Sequence, residues 1–245
     1  MRSLFFILMI PVFLLAQEEE PLSYYIGVYS GITQSRSTGP NGYEKSLYYR
    51  DLIEDFNNNG HSASGGIFPR YSMNFGAFYA HYFSDQYTLE SSLGIEKKGY
   101  KEELIYDYAQ EGIVQNYMSK ATVSLTYLDW SIGIKYFNRF GWTIQVGGIY
   151  SMNLVDRVHH EYSNNLTVGD STIISEYHDK TLFFHEHYGF NREIYTPGYY
   201  LGFGYKYSRF EMEFLFKQQY GVYYEDKRDQ NIFTLNARMR VYIIE

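Results

Sequence analysis

The chain has 245 residues, with 21 Lys/Arg against 28 Asp/Glu, no cysteine, and aromatic residues at 20%, among them 29 tyrosines. Its apolar content excludes a disordered chain, and its acidic balance argues against a nucleic-acid binder. Without cysteine there is no disulfide scaffold, thiolate zinc site or cysteine nucleophile.

Residues 1–16 read MRSLFFILMIPVFLLA. Arg2 gives a positive start, Leu4 to Leu15 an apolar run, and Ala16 a small residue for cleavage before Gln17 and the acidic Glu18–Glu20. That is the pattern of a secretory signal peptide. The run is too short for a spanning helix, which needs about 20 apolar residues. The mature domain is then 17–245.

Eight segments alternate with period two, as half-buried strands do. In chain order they are Leu22–Ile32, Arg70–Phe83, Tyr87–Lys98, Lys120–Phe137, Gly141–Leu154, Gly198–Tyr207, Phe210–Gln219 and Ile232–Ile244. In the fourth, the apolar phase slips from Val123, Leu125 and Tyr127 to Leu128, Trp130 and Ile132. A β-bulge does this; so does a strand whose upper part leaves the membrane. Pro21, Pro69 and Pro197 lie at or just before expected strand starts, where no ladder hydrogen bond is lost.

Short and long connections alternate strictly. Ser84-Asp85-Gln86, Asn138-Arg139-Phe140 and Ser208-Arg209 are short; 33–69, 99–119, 155–197 and 220–231 are long. Transmembrane barrels have short turns at the periplasmic end and long loops outside. The expected fold is all-β: an eight-stranded antiparallel up-and-down transmembrane β-barrel in the outer membrane of a Gram-negative cell envelope.

One face of these strands carries Glu90, Glu96, Asp129, Glu211 and Glu213 with Lys98, Lys135, Lys206, Lys217, Arg238 and Arg240. Each basic group facing lipid near the midplane costs about 2–4 kcal/mol. Six together rival the ~5–15 kcal/mol net stability of a domain. The charges therefore point inward and pair. An eight-stranded interior is just wide enough for side chains to fill, so the lumen is expected to be plugged. Tyr71, Tyr87, Tyr136, Trp142, Tyr199 and Tyr207 sit near strand ends, as an aromatic girdle requires.

The stretches FGAFYAHYFSDQYTLESSLGIEKKGYK (Phe75–Lys101), SLTYLDWSIGIKYF (Ser124–Phe137), WTIQVGGIYSMNL (Trp142–Leu154) and GYYLGFGYKYSRFEMEFLFKQQYG (Gly198–Gly221) resemble the PorT-type outer-membrane β-barrel family. The resemblance covers most of 70–154 and 198–244. Ser131 stands where that family usually has proline, and the chain ends Ile244-Glu245 rather than in an aromatic. The resemblance implies a membrane barrel. The family includes a component of type IX secretion alongside many barrels of unknown role.

Five of the seven histidines, His159, His160, His178, His185 and His187, fall in 155–197. His185 and His187 share one face of an extended segment, and with Glu161 or Glu176 they are either weak metal-ligand candidates or part of a solvated polar loop. Lipid A deacylases carry a His-x-Ser-Asn element; here His81-Tyr82-Phe83-Ser84 fails on spacing and on the asparagine. No catalytic residue or cofactor is expected. Tyr43–Asn57 reads either as a short amphipathic helix over the barrel mouth or as a disordered loop. Tyrosines at 100, 106, 108, 117, 162, 177, 188, 195, 223 and 224 suit either a protein- or glycan-binding surface or packing within the loops.

The functional expectation is a non-enzymatic barrel with a surface, scaffold or loop-mediated binding role. Its partners are outer-membrane lipid and a protein or glycan at the external loops, with no nucleic acid. An accessory role in secretion or envelope assembly, and a lipid A-modifying enzyme, are the alternatives.

Overall fold

The computed structural model describes residues 24–188, 194–222 and 229–244. The expected signal peptide lies outside them. The elements are β1 Tyr24–Thr38, α1 Gly39–Asn58, β2 Ser62–Ser84, β3 Tyr87–Gln110, β4 Ile113–Phe137, β5 Trp142–Val168, β6 Ser171–Phe183, α2 Phe184–Tyr188, β7 Tyr195–Tyr207, β8 Phe210–Val222 and β9 Asp229–Ile244.

The strands pair antiparallel in the order β4-β3-β2-β1-β9-β8-β7-β5-β6, and β4 also pairs with β5. That last pairing closes a ring of eight strands; among the described residues β6 is a ninth, whose strand pairing is with β5 alone. Closure leaves the ring without free edges. All eight segments expected from alternation are present.

The long connections differ from expectation. Residues 99–119 are not a loop: β3 and β4 run on as a hairpin turning at Glu111-Gly112. Residues 155–197 hold the upper half of β5, all of β6, and α2. Residues 33–69 hold the end of β1, α1 and the start of β2. The strands thus continue past the barrel proper as an extension at the end opposite the short turns. Helix α1 begins with Pro at its first turn, where the missing N–H costs nothing. It lies over the mouth, with Lys45 2.8 Å from Glu102 and Phe56 4.8 Å from the Tyr106 ring. Its Leu47, Leu52, Ile53 and Phe56 are half-buried, so the helical reading holds.

Two details of the strands also differ. Pro69 and Pro197 lie within β2 and β7 rather than before them. Pro69 still pairs with Tyr100 on β3, but β1–β2 pairing stops at Arg70 and the β2–β3 register shifts just after Pro69, so the proline sits at an irregularity in the ladder. The phase slip in β4 is not a bulge in β4. Ala121, Val123, Leu125, Tyr127, Asp129, Lys135 and Phe137 are all buried and all face inward. The register shift sits in β5, where Leu154 is skipped between Val155 and Asn153. What changes near Leu128 is the chemistry of each face. Above it the interior is apolar, with Tyr100, Val123, Leu125, Tyr127, Val158, Phe184 and Ile232 in one cluster. Below it the interior is ionic.

The three short turns differ in detail. Asn138 Oδ1 accepts from the backbone N–H groups of Phe140 and Trp142 at 2.9 Å each, and Gly141 takes φ 89°, a backbone that favours glycine.

Candidate functional site: the lumen and the extension

Inward positions of neighbouring strands meet across the narrow lumen. The β8–β9 register puts Glu211 opposite Arg240 and Glu213 opposite Arg238. Lys135 on β4 reaches across to them. Its Nζ lies 2.9 Å from Glu213, 3.0 Å from Glu211 and 3.3 Å from Glu90. Arg240 lies 2.7 Å from Glu90, 2.8 Å from Glu213 and 3.3 Å from Glu211. Thr143 and Tyr242 also donate to Glu211.

A second cluster lies higher. Lys98 is 2.7 Å from Asp129 and 3.5 Å from Glu96. Lys217 is 2.6 Å from Glu96 and 3.4 Å from Asp129. Ser151 donates to Asp129 at 2.5 Å and Thr33 to Glu96 at 2.9 Å. Arg238 lies 3.9 Å from Glu213 and 4.3 Å over the Tyr29 ring.

All five acids expected in the lumen, with Lys98, Lys135, Lys217, Arg238 and Arg240, are buried and paired. Lys206 is half-buried, and its ammonium lies 4.1 Å over the Tyr242 ring at the turn end. There Tyr25, Phe78, Phe137 and Tyr242 form an aromatic plug. The sequence reading missed it because Tyr25 and Tyr242 sit on the phase carrying polar residues. Only an interior closed at both ends would call for rings in that phase.

Tyrosine also fills the middle. Tyr29 lies across Gly76 and Gly94, and Tyr200 across Gly133 and Gly147, where any side chain would collide with the ring. Between the clusters remains a cavity of about 10 Å³, bordered by Glu90, Lys217, Arg238 and Tyr200. It has room for at most one water. The described interior is filled rather than open.

The outer face is the reverse. Phe75, Leu93, Val146, Leu201, Phe203 and Met239 are each roughly half exposed. Tyr87 and Tyr136 meet at 5.2 Å near the turns, with Trp142 against Tyr205 at the same distance. Tyr207 is exposed nearby, and Tyr71 and Tyr199 are exposed towards the other end.

The extension gathers the histidines but forms no metal cluster among the described residues. His185 and His187 do not share a face of an extended segment, because α2 is helical there. His187 packs on His160 at 4.8 Å, whereas His185 stacks on Phe183 at 5.7 Å. His160 and His187 both have pKa values below the ordinary imidazole value of 6.5, chiefly from burial, with His178 adding to the effect at His160 and His160 at His187. Neutral imidazoles are therefore favoured in the folded extension. Stability from this contact is complete above about pH 6.5 and is lost as pH falls through the lowered values. The protection of β6 and α2 against hydrogen exchange, relative to the intrinsic rate at each pH, should fall between about pH 7.5 and about pH 5 while that of β7 and β8 does not.

Tyr106, Tyr117, Tyr162 and His178 form a continuous ring ladder across β3 to β6, with spacings of 4.7, 5.5 and 5.7 Å. These tyrosines pack on one another; Tyr223 and Tyr224 lie outside the described residues. Ser84 Oγ accepts from the backbone N–H groups of Gln86 and Tyr87, which makes it a turn residue. A cleft of about 620 Å³ opens beside α1, where Arg36 lies 5.4 Å over the Phe233 ring.

Neither a protein-family model nor a curated protein matches the chain. Among solved structures, Neisserial surface protein A (NspA) aligns over 89% of this chain and 98% of its own, at 8% identity and TM-score 0.38. Ail, the attachment invasion locus protein of Yersinia pestis, solved in complex with the heparin analogue sucrose octasulfate, aligns over 89% and 99%, at 11% identity and TM-score 0.37. Likenesses this distant say nothing about activity, and the barrel rests on its own strand pairing.

Proposed function

We propose that this chain is a non-enzymatic outer-membrane β-barrel, exported by residues 1–16, whose extension makes contacts outside the cell. The observation that carries this reading is the inversion of its two faces. Below Leu128 the interior is ionic and filled, and the exterior is a continuous apolar band. An apolar surface of that extent on a water-soluble protein would be an aggregation site. Facing hydrocarbon, it is the favoured arrangement. Above Leu128 the arrangement returns to that of a soluble protein, with an apolar core under polar strands.

A filled lumen leaves no route for solutes, so binding falls to the extension. The segments 33–69, 99–119, 155–197 and 220–231 carry nine basic against eighteen acidic residues. That balance disfavours a polyanionic sugar as ligand and favours a neutral or basic partner. The strand motifs support kinship with the PorT-type barrels. The test is fractionation. The protein should sediment with outer membrane and migrate faster on gels unheated than boiled. Recovery in the soluble periplasmic fraction, with no heat-dependent shift, would refute the reading.

A further inference from the structure

We propose that β6 is a self-adhesive edge through which copies of this barrel in two facing membranes join. The proposal rests on the reading of the barrel as membrane-embedded with its extension outside.

β6 pairs with β5 along one edge. Among the described residues, no strand pairs along its other edge. Every side chain of β6 except Leu182 is exposed, including Ile173, Ile174 and Tyr177. Its open edge presents a row of N–H and C=O groups that an added strand would complete. Edges are usually blunted by proline, repeated lysine or shortness. β6 has 13 residues, no proline and one lysine. The ligand class is thus an extended polypeptide.

The strand's own sequence indicates which one. Around His178, β6 is self-complementary. Antiparallel pairing of two copies about that residue sets Glu176 opposite Lys180 twice. It also sets Ser175 opposite Thr181, Ile174 opposite Leu182 and Ile173 opposite Phe183. Parallel pairing in register would set Glu176 against Glu176 and Lys180 against Lys180. Opposite charges directly across a ladder are favourable and like charges are not, so the charges select the antiparallel arrangement.

That choice fixes the geometry of the contact. β5 continues the barrel wall outward, and β6 lies along it. A twofold axis that reverses β6 reverses the barrel attached to it. The two barrels then point in opposite senses and sit in apposed membranes. The paired part of the hairpin reaches roughly 40 Å, taking about 3.3 Å per residue over a dozen residues.

The test uses the full chain refolded into phosphatidylcholine vesicles, with clustering read by light scattering. Wild-type vesicles are expected to cluster. Glu176→Lys and Lys180→Glu are each expected to abolish clustering, because each sets like charges opposite in a pair of identical copies. Mixing the two variant populations should restore it, since each supplies the charge the other lacks. The double variant E176K/K180E should cluster by itself. Dispersed wild-type vesicles, single variants that cluster like wild type, or a mixture that stays dispersed would each overturn the proposal. Heat-modifiable migration is read on the same vesicles. Its loss in the wild type defeats the barrel reading itself, whereas dispersed vesicles with the shift intact defeat only the adhesive edge.

Discussion

Lys135→Met is expected to lower the stability of the barrel by about 3–5 kcal/mol, the cost of leaving buried charge without its partner. The Lys135 side chain is fully buried and its ammonium touches Glu90, Glu211 and Glu213. Methionine keeps most of the volume but none of the charge. Arg240 still serves the three carboxylates, so the excess negative charge is concentrated on few groups. The urea midpoint of the variant in phospholipid should fall accordingly. Adding Glu211→Gln should recover much of the loss, because Glu90 and Glu213 then face Arg238 and Arg240, two charges of each sign. If the double variant is no better than K135M, packing rather than charge balance explains the effect.

Leu201→Arg should cost about 2–4 kcal/mol, the penalty for a basic side chain on the lipid face near the midplane of a membrane barrel. Leu201 lies mid-strand in β7, 54% exposed, between Val146 on β5 and Phe216 on β8. Asn116→Arg, on the exposed outer face of the β3–β4 hairpin, should stay within about 0.5 kcal/mol, as ordinary surface substitutions do. The contrast separates the two media. Were the whole exterior wet, both substitutions would be neutral and Leu201→Arg would improve solubility.

Strands of the barrel proper were legible because one medium on each side enforces strict alternation. Leu201, Phe203 and Tyr205 read outward, while Glu211, Glu213, Arg238 and Arg240 read inward, and the register brings those charges together. Lys206 shares their phase, and near the turn end its ammonium lies over the Tyr242 ring of the aromatic plug. The extension was harder to read for a physical reason. Above Leu128 the apolar residues move to the inner face, so Val123 and Leu125 look out of step although the strand keeps its phase. β6 was illegible as a strand because nearly all of it is exposed and no hydrophobic face marks its period. The segment around the Glu111-Gly112 hairpin reads as a long connection because its apolar residues, Leu104-Ile105 and Ile113-Val114, fall in adjacent pairs that break the alternation.

The chain has two tryptophans, and both lie on the outer face. Trp130 is mid-wall on β4, and Trp142 opens β5 beside a short turn. Fluorescence quenching by lipids brominated at different depths therefore tests directly whether hydrocarbon covers the band. In Trp142→Phe, Trp130 should be quenched most by bromines deep in the acyl chain. In Trp130→Phe, Trp142 should be quenched most by bromines near the headgroup. Efficient quenching of both by aqueous iodide, with no response to any brominated lipid, would contradict the account.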